Sequence, residues 1–363
     1  MNRFKYIHTI LLTIDTIAGL LLTMKVFYSE THRKHDPPFE LFDGGLRVPY
    51  LENPDRMDRI LNALGNEGWA EIIEPTEFGL DPIRAVHDKD YLDFLASCWT
   101  EWLDSNPKDS SVFLPATFAL RHQPQRPNSL LGRGGYYIMD LSACIVEGTY
   151  EAALASVNCA LSAAQSIVDG QRSSFALCRP PGHHAGRDYA GGYCFINNAA
   201  VAAHWLSAKG KVAVLDIDYH CGNGTQDIFY NRDDVLTISI HADPDFEYPS
   251  YFGHANERGE GRGFGFHHNF PLSKGTDDDS YLETLDRAME LIRGYAPGYL
   301  VVSAGMDIYA DDPLGTIKVT TDGIREIGKR IASLGLPTVI AMEGGYNNEA
   351  LGRNITAFLG EFK

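Results

Sequence analysis

The sequence has few basic side chains for its length. Its 363 residues include 31 Lys and Arg against 48 Asp and Glu, which gives a formal net charge of -17. Because nucleic-acid phosphates are bound by clustered Lys and Arg, this balance argues against a nucleic-acid partner. The acidity would suit a cationic substrate, although net charge alone fits better with a role in keeping the protein soluble.

Paired cysteines are also absent. The six cysteines are scattered along the chain, and none belongs to a Cys-x-x-Cys pair. This spacing argues against a disulfide framework and against a zinc ribbon. We therefore expect buried free thiols in a reducing compartment, and hence a cytoplasmic protein.

The sequence contains no long uninterrupted apolar run. The most apolar stretch near its start, residues 7–22, is broken by Thr13, Asp15 and Thr16. It resembles a weak signal-peptide core or an amphipathic anchor, but it is short for a membrane span and carries a charge. No Ala-x-Ala cleavage site follows it. We therefore expect no stable membrane span, an N-terminal extension at 1–23 and one folded domain at 24–363.

From residue 24 onward, strand-like and helix-like segments alternate, which predicts an α/β fold with one mainly parallel sheet and helices on both faces. Strands are predicted at 26–28, 175–177, 235–240, 299–304 and 338–342, in addition to one that begins at Val212. Helices are predicted at 53–64, 88–102, 151–168, 278–293 and 321–334. Residues 105–135 are rich in Pro and are predicted to be a long irregular loop. This loop could serve self-association or simply be solvated.

The stretch 212–226 carries the strongest chemical signal. A β-branched apolar run ends in Asp216, Asp218 and His220 and then breaks on a Gly-x-Gly turn. Ligands of open α/β sheets bind beyond the carboxyl ends of the strands. Side-chain alternation along a strand would point all three residues to one side. The alternative is a strand end whose aspartates only cap the following turn.

Other predicted strands also end in polar residues. Asp307 follows the strand at 299–304, and Tyr346 follows the strand at 338–342. His183 and His184 follow a Pro-Pro-Gly turn, although such a pair taken alone is more often a surface feature. Two aspartates and a histidine suit zinc with an open position for water, which favours metal-assisted hydrolysis. The histidines could move protons, and the tyrosine could stabilise an oxyanion.

Five motifs together resemble the histone deacetylase and acetylpolyamine amidohydrolase superfamily. They are Pro180-Pro-Gly-His-His-Ala, Gly191-Gly-Tyr-Cys-Phe-Ile-Asn-Asn, Asp216-Ile-Asp-Tyr-His, Ser303-Ala-Gly-Met-Asp and Glu343-Gly-Gly-Tyr. The wording is most similar to that of bacterial acetylpolyamine amidohydrolases. The resemblance implies an arginase-like α/β fold and makes residues 24–363 a deacetylase-like catalytic domain.

The resemblance also implies roles for individual residues. Zinc would be held by Asp218, His220 and Asp307. His184 would be the general base and acid, and His183 its electrostatic partner. Asp216 would orient His183, Asn223 would stand behind His184, and Tyr346 would donate to the oxyanion. A structural potassium ion would be bound by Asp216, Ser239, Ile240 and the carbonyls of Asp218 and His220, and a second by carbonyls near Phe229, Arg232 and Val235.

The same resemblance implies a substrate tunnel walled by Gly192, Tyr193, Tyr248 and Leu314. Cys221 stands where most relatives have a second histidine, and we expect a buried thiol there rather than a zinc ligand. Leu131 and Leu314 occupy positions where polyamine-selective members tend to have acidic residues.

We therefore expect a zinc-dependent amidohydrolase that deacetylates primary amines, with acetylated polyamines as the leading substrates. The loop at 105–135 would help to form a homodimer and restrict the tunnel mouth. The alternative is a protein deacetylase acting on acetyl-lysine. A ureohydrolase would need a further aspartate beside Asp307, which Ile308 and Tyr309 do not supply. A non-catalytic binding module would be expected to have lost a site residue, and none is lost.

Overall fold

The computed structural model describes residues 23–42, 45–105, 111–119 and 125–363. Nearly all of the predicted N-terminal extension, and residues 106–110 and 120–124 of the predicted loop, lie outside these ranges. Within them, no helix combines the length and the apolar character needed to cross a membrane.

A sheet of eight parallel strands forms the centre of the molecule. Its strands are β1 (Met24–Phe27), β4 (Ala70–Ile73), β5 (Ser173–Ala176), β6 (Val212–Asp216), β7 (Val235–Ala242), β8 (His267–Leu272), β9 (Tyr299–Ala304) and β10 (Thr338–Met342), in the order β4-β1-β5-β10-β9-β6-β7-β8. Every residue of β5, β6, β7 and β10 is buried. Burial of both faces is expected for a parallel sheet covered by helices.

The helices are α1 (Asp55–Leu64), α2 (Asp81–Arg84), α3 (Lys89–Ser105), α4 (Leu130–Tyr137), α5 (Thr149–Val168), α6 (Asn198–Ser207), α7 (Asn223–Phe229), α8 (Asp278–Tyr295), α9 (Thr321–Ala332) and α10 (Leu351–Leu359). The side chains of Asn197, Asp277 and Thr320 cap α6, α8 and α9, since each accepts a hydrogen bond from the first turn. A separate antiparallel hairpin pairs β2 (Glu40–Phe42) with β3 (Leu46–Val48).

The predicted strands and helices are present, with ends that differ by a few residues. The two strands of the main sheet that were not predicted, β4 and β8, are its edge strands. The hairpin strands β2 and β3 were not predicted either. An edge strand is paired on one side only and can be less apolar, and β8 even contains Pro271. The prediction of an irregular 105–135 loop was wrong for its last part, where Ser129 caps α4 by accepting the Gly132 N–H.

The strand order brings the polar strand ends together. β5, β10, β9 and β6 are consecutive neighbours in the sheet, so the segments that follow them meet at one edge. The two histidines, Tyr346, Asp307 and Asp218 come from these four segments. One detail of the prediction was wrong: β6 ends at Asp216, and Asp218 and His220 lie in the bends after it. Their convergence therefore comes from the turn and not from strand alternation.

Candidate metal and catalytic site

Asp218, His220 and Asp307 form a compact group of metal-ligating side chains. One ligand atom from each lies within 4.8 Å of the others, and all three residues are buried or nearly so. Glycines make room for this group. A Cβ at Gly305 would lie 2.0 Å from Oδ2 of Asp218, and a Cβ at Gly344 would lie 2.3 Å from Oδ2 of Asp307. Both positions therefore require glycine if the carboxylates are to keep their places.

The hydrogen bonds of the two carboxylates leave one oxygen without a donor. Oδ1 of Asp307 accepts the Tyr219 N–H at 2.9 Å, whereas Oδ2 accepts no hydrogen bond although Nδ1 of His220 is 3.3 Å away. Burial, together with the charge of Asp218, raises the pKa of Asp307 to about 7. Two buried carboxylates with oxygens within 4.8 Å of each other are costly unless a cation neutralises them. The donor set therefore fits a divalent metal ion.

A second group of potential ligands, His183, Cys194 and Glu343, lies deeper in the fold. It fits a metal less well, because most of its polar atoms already have partners, although Oε1 of Glu343 accepts no hydrogen bond. Nδ1 of His183 donates to Oδ2 of Asp216 at 3.0 Å, and Oε2 of Glu343 accepts the N–H groups of Gly182 and His183. We therefore assign this group to holding the histidine loop in place.

His183 and His184 lie side by side, with ring centroids 3.9 Å apart, but have different partners. Burial disfavours a charged His183, but the carboxylates of Asp218 and Asp216 outweigh it and raise the pKa of His183 well above its ordinary value. Burial and the neighbouring charges of His183 and His220 lower the pKa of His184 well below its ordinary value. A bound divalent cation would lower the pKa of each histidine from these positions, because it adds positive charge.

The partner of His184 defines its tautomer. Nδ1 of His184 lies 2.7 Å from Oδ1 of Asn223, whose amide Nδ2 is 3.3 Å from the Tyr189 hydroxyl. With the Asn223 amide oriented in this way, its oxygen accepts a hydrogen bond from the Nδ1–H of His184. Nε2 of His184 is then left as the basic nitrogen.

A cavity of about 700 Å³ leads to the proposed metal ligands and the histidine pair, and His184, His220 and Tyr346 line it. All four predicted tunnel residues, Gly192, Tyr193, Tyr248 and Leu314, also line it. Leu131 does not, since it lies on α4 with 48% of its surface exposed. The position of Leu131 therefore carries no information about the tunnel mouth, contrary to the prediction.

Three carboxylates in the cavity wall were not predicted: Glu40, Asp140 and Glu247. Glu40 accepts the hydroxyl of Tyr193 at 2.7 Å, and Asp140 accepts the hydroxyl of Tyr248 at 2.6 Å. Burial raises the pKa of Glu40. Glu247 accepts the hydroxyl of Tyr219 at 2.7 Å. No local sequence pattern marks the three carboxylates, because their partners Tyr193, Tyr248 and Tyr219 are 153, 108 and 28 positions away in the chain.

Tyr346 is held by two residues from distant segments. The guanidinium of buried Arg56 lies 4.9 Å from the centroid of its ring and also donates to the carbonyls of Gly345 and Glu343. Asp312 accepts the Tyr346 N–H at 2.7 Å. Burial raises the pKa of the Tyr346 hydroxyl well above its ordinary value, so the hydroxyl keeps its proton and can donate it in a hydrogen bond.

The remaining predicted residues lie just behind the site. Asp216 and Ser239 are direct partners on β6 and β7, and Ile240 follows Ser239. Cys221 is buried and outside both ligand groups, against the backbone of Gly253. All six cysteines are free and buried, as predicted.

Comparison with known proteins identifies the class to which this fold and site belong. A family model described as a histone deacetylase domain matches residues 50–362. The chain therefore belongs to the histone deacetylase family, and the predicted arginase-like α/β fold is confirmed.

Individual relatives show which members of the family the chain resembles. Acetylpolyamine amidohydrolase 1 of Pseudomonas aeruginosa is 47% identical over 332 residues, which cover 90% of this chain and 95% of that protein. A histone deacetylase-like amidohydrolase of the same species is 38% identical over 236 residues, or 62% of this chain and 61% of that protein. A crystal structure of an acetylpolyamine aminohydrolase from Burkholderia pseudomallei matches with a TM-score of 0.90 at 41% identity, covering 94% of this chain and 98% of that one.

Proposed function

We propose that the chain is a zinc-dependent amidohydrolase that removes the acetyl group from acetylated polyamines. The observation that carries this proposal is the convergence of a three-residue ligand group, a neutral histidine and a tyrosine hydroxyl on one cavity. High identity to acetylpolyamine amidohydrolases over nearly the whole chain supports the substrate class.

Asp218, His220 and Asp307 would hold the zinc ion, and their chemistry fits it. Zinc, when bound, would allow a water molecule to lose its proton near neutral pH, and the ion would also polarise the amide carbonyl. Of the three proposed ligands, His220 lines the cavity. The substrate amide would therefore approach the ligand group from the tunnel.

The protein's own groups move the proton and stabilise the developing charge. His184 takes the proton at Nε2 as general base and returns it to the leaving amine as general acid. His183 keeps a proton at Nδ1 through its hydrogen bond to Asp216, and this carboxylate favours the charged imidazolium that would stabilise negative charge beside it. The hydroxyl of Tyr346 donates a hydrogen bond to the oxygen that becomes negative in the transition state.

The cavity wall also supports a cationic substrate. Asp140 and Glu247 place carboxylates along a tunnel whose lining also includes the aromatic rings of Tyr193, Phe246 and Tyr248. An aliphatic chain that carries a distal ammonium group matches this lining. Although Leu131 and Leu314 are not acidic, the cavity therefore still contains carboxylates that could face a second ammonium group.

Further predictions accompany this proposal. Two of them are potassium sites, one at Asp216, Ser239 and Ile240 and a second near Phe229. The others are a homodimer, formed with the help of residues 105–135, and a cytoplasmic location. The side-by-side positions of Asp216 and Ser239 on β6 and β7 support the first potassium site.

A substrate comparison on zinc-quantified protein tests the proposed function. We expect a higher kcat/KM for N-acetylputrescine than for an acetyl-lysine peptide. The reverse order would favour a protein lysine deacetylase.

The variant Tyr346→Phe should cut kcat by roughly a hundredfold with zinc content unchanged, because an oxyanion donor is lost. Unchanged turnover would remove Tyr346 from the mechanism, and no turnover by wild type would favour a binding module.

A further inference from the structure

Asp140 connects two opposite parts of the tunnel wall through a single oxygen. Its Oδ2 accepts the hydroxyl of Tyr248 at 2.6 Å and the N–H of Gly192 at 2.6 Å. Its Oδ1 accepts the Ser142 N–H at 3.0 Å, the Ser142 hydroxyl at 2.9 Å and the Ala143 N–H at 3.1 Å. Five donors therefore fix this carboxylate in one orientation. We call the contact from Tyr248 through Oδ2 of Asp140 to Gly192 the wall clasp.

The wall clasp bears directly on the general base. The ring of Tyr248 meets the ring of His184 edge to face, with centroids 4.9 Å apart and planes at 87°. On the other side, a Cβ at Gly192 would lie 2.2 Å from Cδ2 of His184. The imidazole of His184 thus lies between the two segments that Asp140 ties together, and the clasp sets the spacing of these segments.

The wall clasp also separates two cavities. A second cavity of about 1050 Å³ lies beside the tunnel, and Phe118, Asp140, Tyr248 and Ser250 line both. The hydrogen bond between Tyr248 and Asp140 therefore forms part of the partition. If it were released, the phenol ring could turn toward the second cavity and the tunnel would widen beside His184.

We propose that Asp140 is a positioning residue that, through Tyr248, restricts the tunnel to slim linear substrates. The inference rests on the proposed function and deepens it, because it assigns the width limit of that site. Tyr248 is the wall that meets the substrate, and Asp140 acts through it. The clasp excludes a chain that is broad next to the scissile amide, whatever charge that chain carries at its far end.

Two substrates that differ in width test the inference. N-acetylputrescine and mono-acetylated para-xylylenediamine both carry one acetamide and one ammonium, but a benzene ring broadens the second. The variant Tyr248→Phe removes only the hydroxyl. We expect it to lower the ratio of kcat/KM for the slim over the broad substrate at least tenfold, mainly through a lower KM for the broad one. The matched control is Tyr295→Phe, which removes a hydroxyl that donates to the carbonyl of Asp233 on another face.

The variant Asp140→Asn extends the test to the carboxylate. An amide has only one acceptor oxygen, and the three donors at Oδ1 favour placing it there. An NH2 group would then replace Oδ2, so that the hydroxyl of Tyr248 and the N–H of Gly192 both lose their acceptor. The variant should therefore lower the same ratio and also reduce kcat, since Gly192 lies beside His184. The double variant should match Asp140→Asn alone, since residues that act through one contact are not additive. An unchanged ratio in an active Tyr248→Phe enzyme would overturn the inference, as would independent effects of the two substitutions on the ratio.

The outcomes for the two proposals remain distinguishable. The proposed function is judged on the wild type alone, with the acetyl-lysine peptide, and the wall clasp on the change of a ratio between variants. If the wild type hydrolyses neither slim nor broad substrate, calorimetric binding of putrescine and para-xylylenediamine to the zinc-loaded proteins gives the same comparison of widths. Equal discrimination by wild type and Tyr248→Phe in that assay would also overturn the inference.

Discussion

His183 and His184 are adjacent in the chain, yet their pKa values are displaced in opposite directions. Both are buried, so burial does not explain the difference. The partner of His183 is the carboxylate of Asp216, whereas the partner of His184 is the neutral amide of Asn223. A charged partner favours imidazolium and a neutral one does not. The two partners therefore separate the histidine that stabilises charge from the one that accepts a proton.

The variant Asn223→Asp tests this difference. A carboxylate beside Nδ1 would favour the protonated form and raise the pKa of His184 by about one unit. The base must be neutral to act. With a higher pKa, His184 would become protonated, and activity would be lost, earlier as the pH is lowered. The acid limb of the kcat/KM profile should move upward by that amount, whereas exposed Asn66→Asp should leave it in place. A limb that stays where it is would exclude His184 as the titrating base.

The variant Cys221→Ser tests the predicted role of the residue that follows His220. The thiol lies against the backbone of Gly253, where a Cβ would be 3.1 Å from Sγ, and outside the ligand group. We therefore expect zinc to remain near one per chain, as measured by elemental analysis. The comparison variant is His220→Ala, which removes a proposed ligand and should lose zinc. Loss of zinc from Cys221→Ser would show that the thiol is a ligand.

At the scale of elements, the strands that could be predicted from the sequence are those that are most buried. The central strands β9 and β10 were predicted with the ends they have, because apolar β-branched runs mark strands buried on both faces. The edge strands lack this signal, and α4 was hidden by its glycines and the prolines before it. Motif residues of the site could be predicted from the sequence. Asp140 and Arg56 could not, because they act through contacts with distant segments.

The turns after the strands make specific demands on glycine, and Gly344→Ala tests one of them. Its Cβ would collide with Oδ2 of Asp307 at 2.3 Å and approach Oδ2 of Asp218 at 2.7 Å. We expect zinc affinity to fall by roughly tenfold or more, as found when the surroundings of metal ligands are disturbed. In the control Gly294→Ala, on α8, the added methyl meets nothing within 4 Å. Equal zinc affinity in both variants would contradict the steric argument.

At the scale of the whole molecule, the site depends on the order of the sheet. Its residues come from segments after β5, β6, β9 and β10, and the central sheet keeps these ends within reach of one another. Two ligand carboxylates are consequently buried together in a protein whose net charge is already -17. The folded state thus contains a concentrated repulsion that the unfolded chain relieves. A cation at this point should therefore stabilise the whole fold.

Removal of zinc should for this reason lower the thermal unfolding midpoint, and added zinc should restore it. A ligand that binds only the folded state at 100 times its Kd contributes about 2.7 kcal/mol to the free energy of unfolding. Calorimetry of chelated and reloaded protein measures the difference, with Gly344→Ala as a variant in which it should shrink. Equal midpoints for the chelated and reloaded wild type would mean that zinc does not bind the folded state preferentially, which would contradict a ligand group made of Asp218, His220 and Asp307.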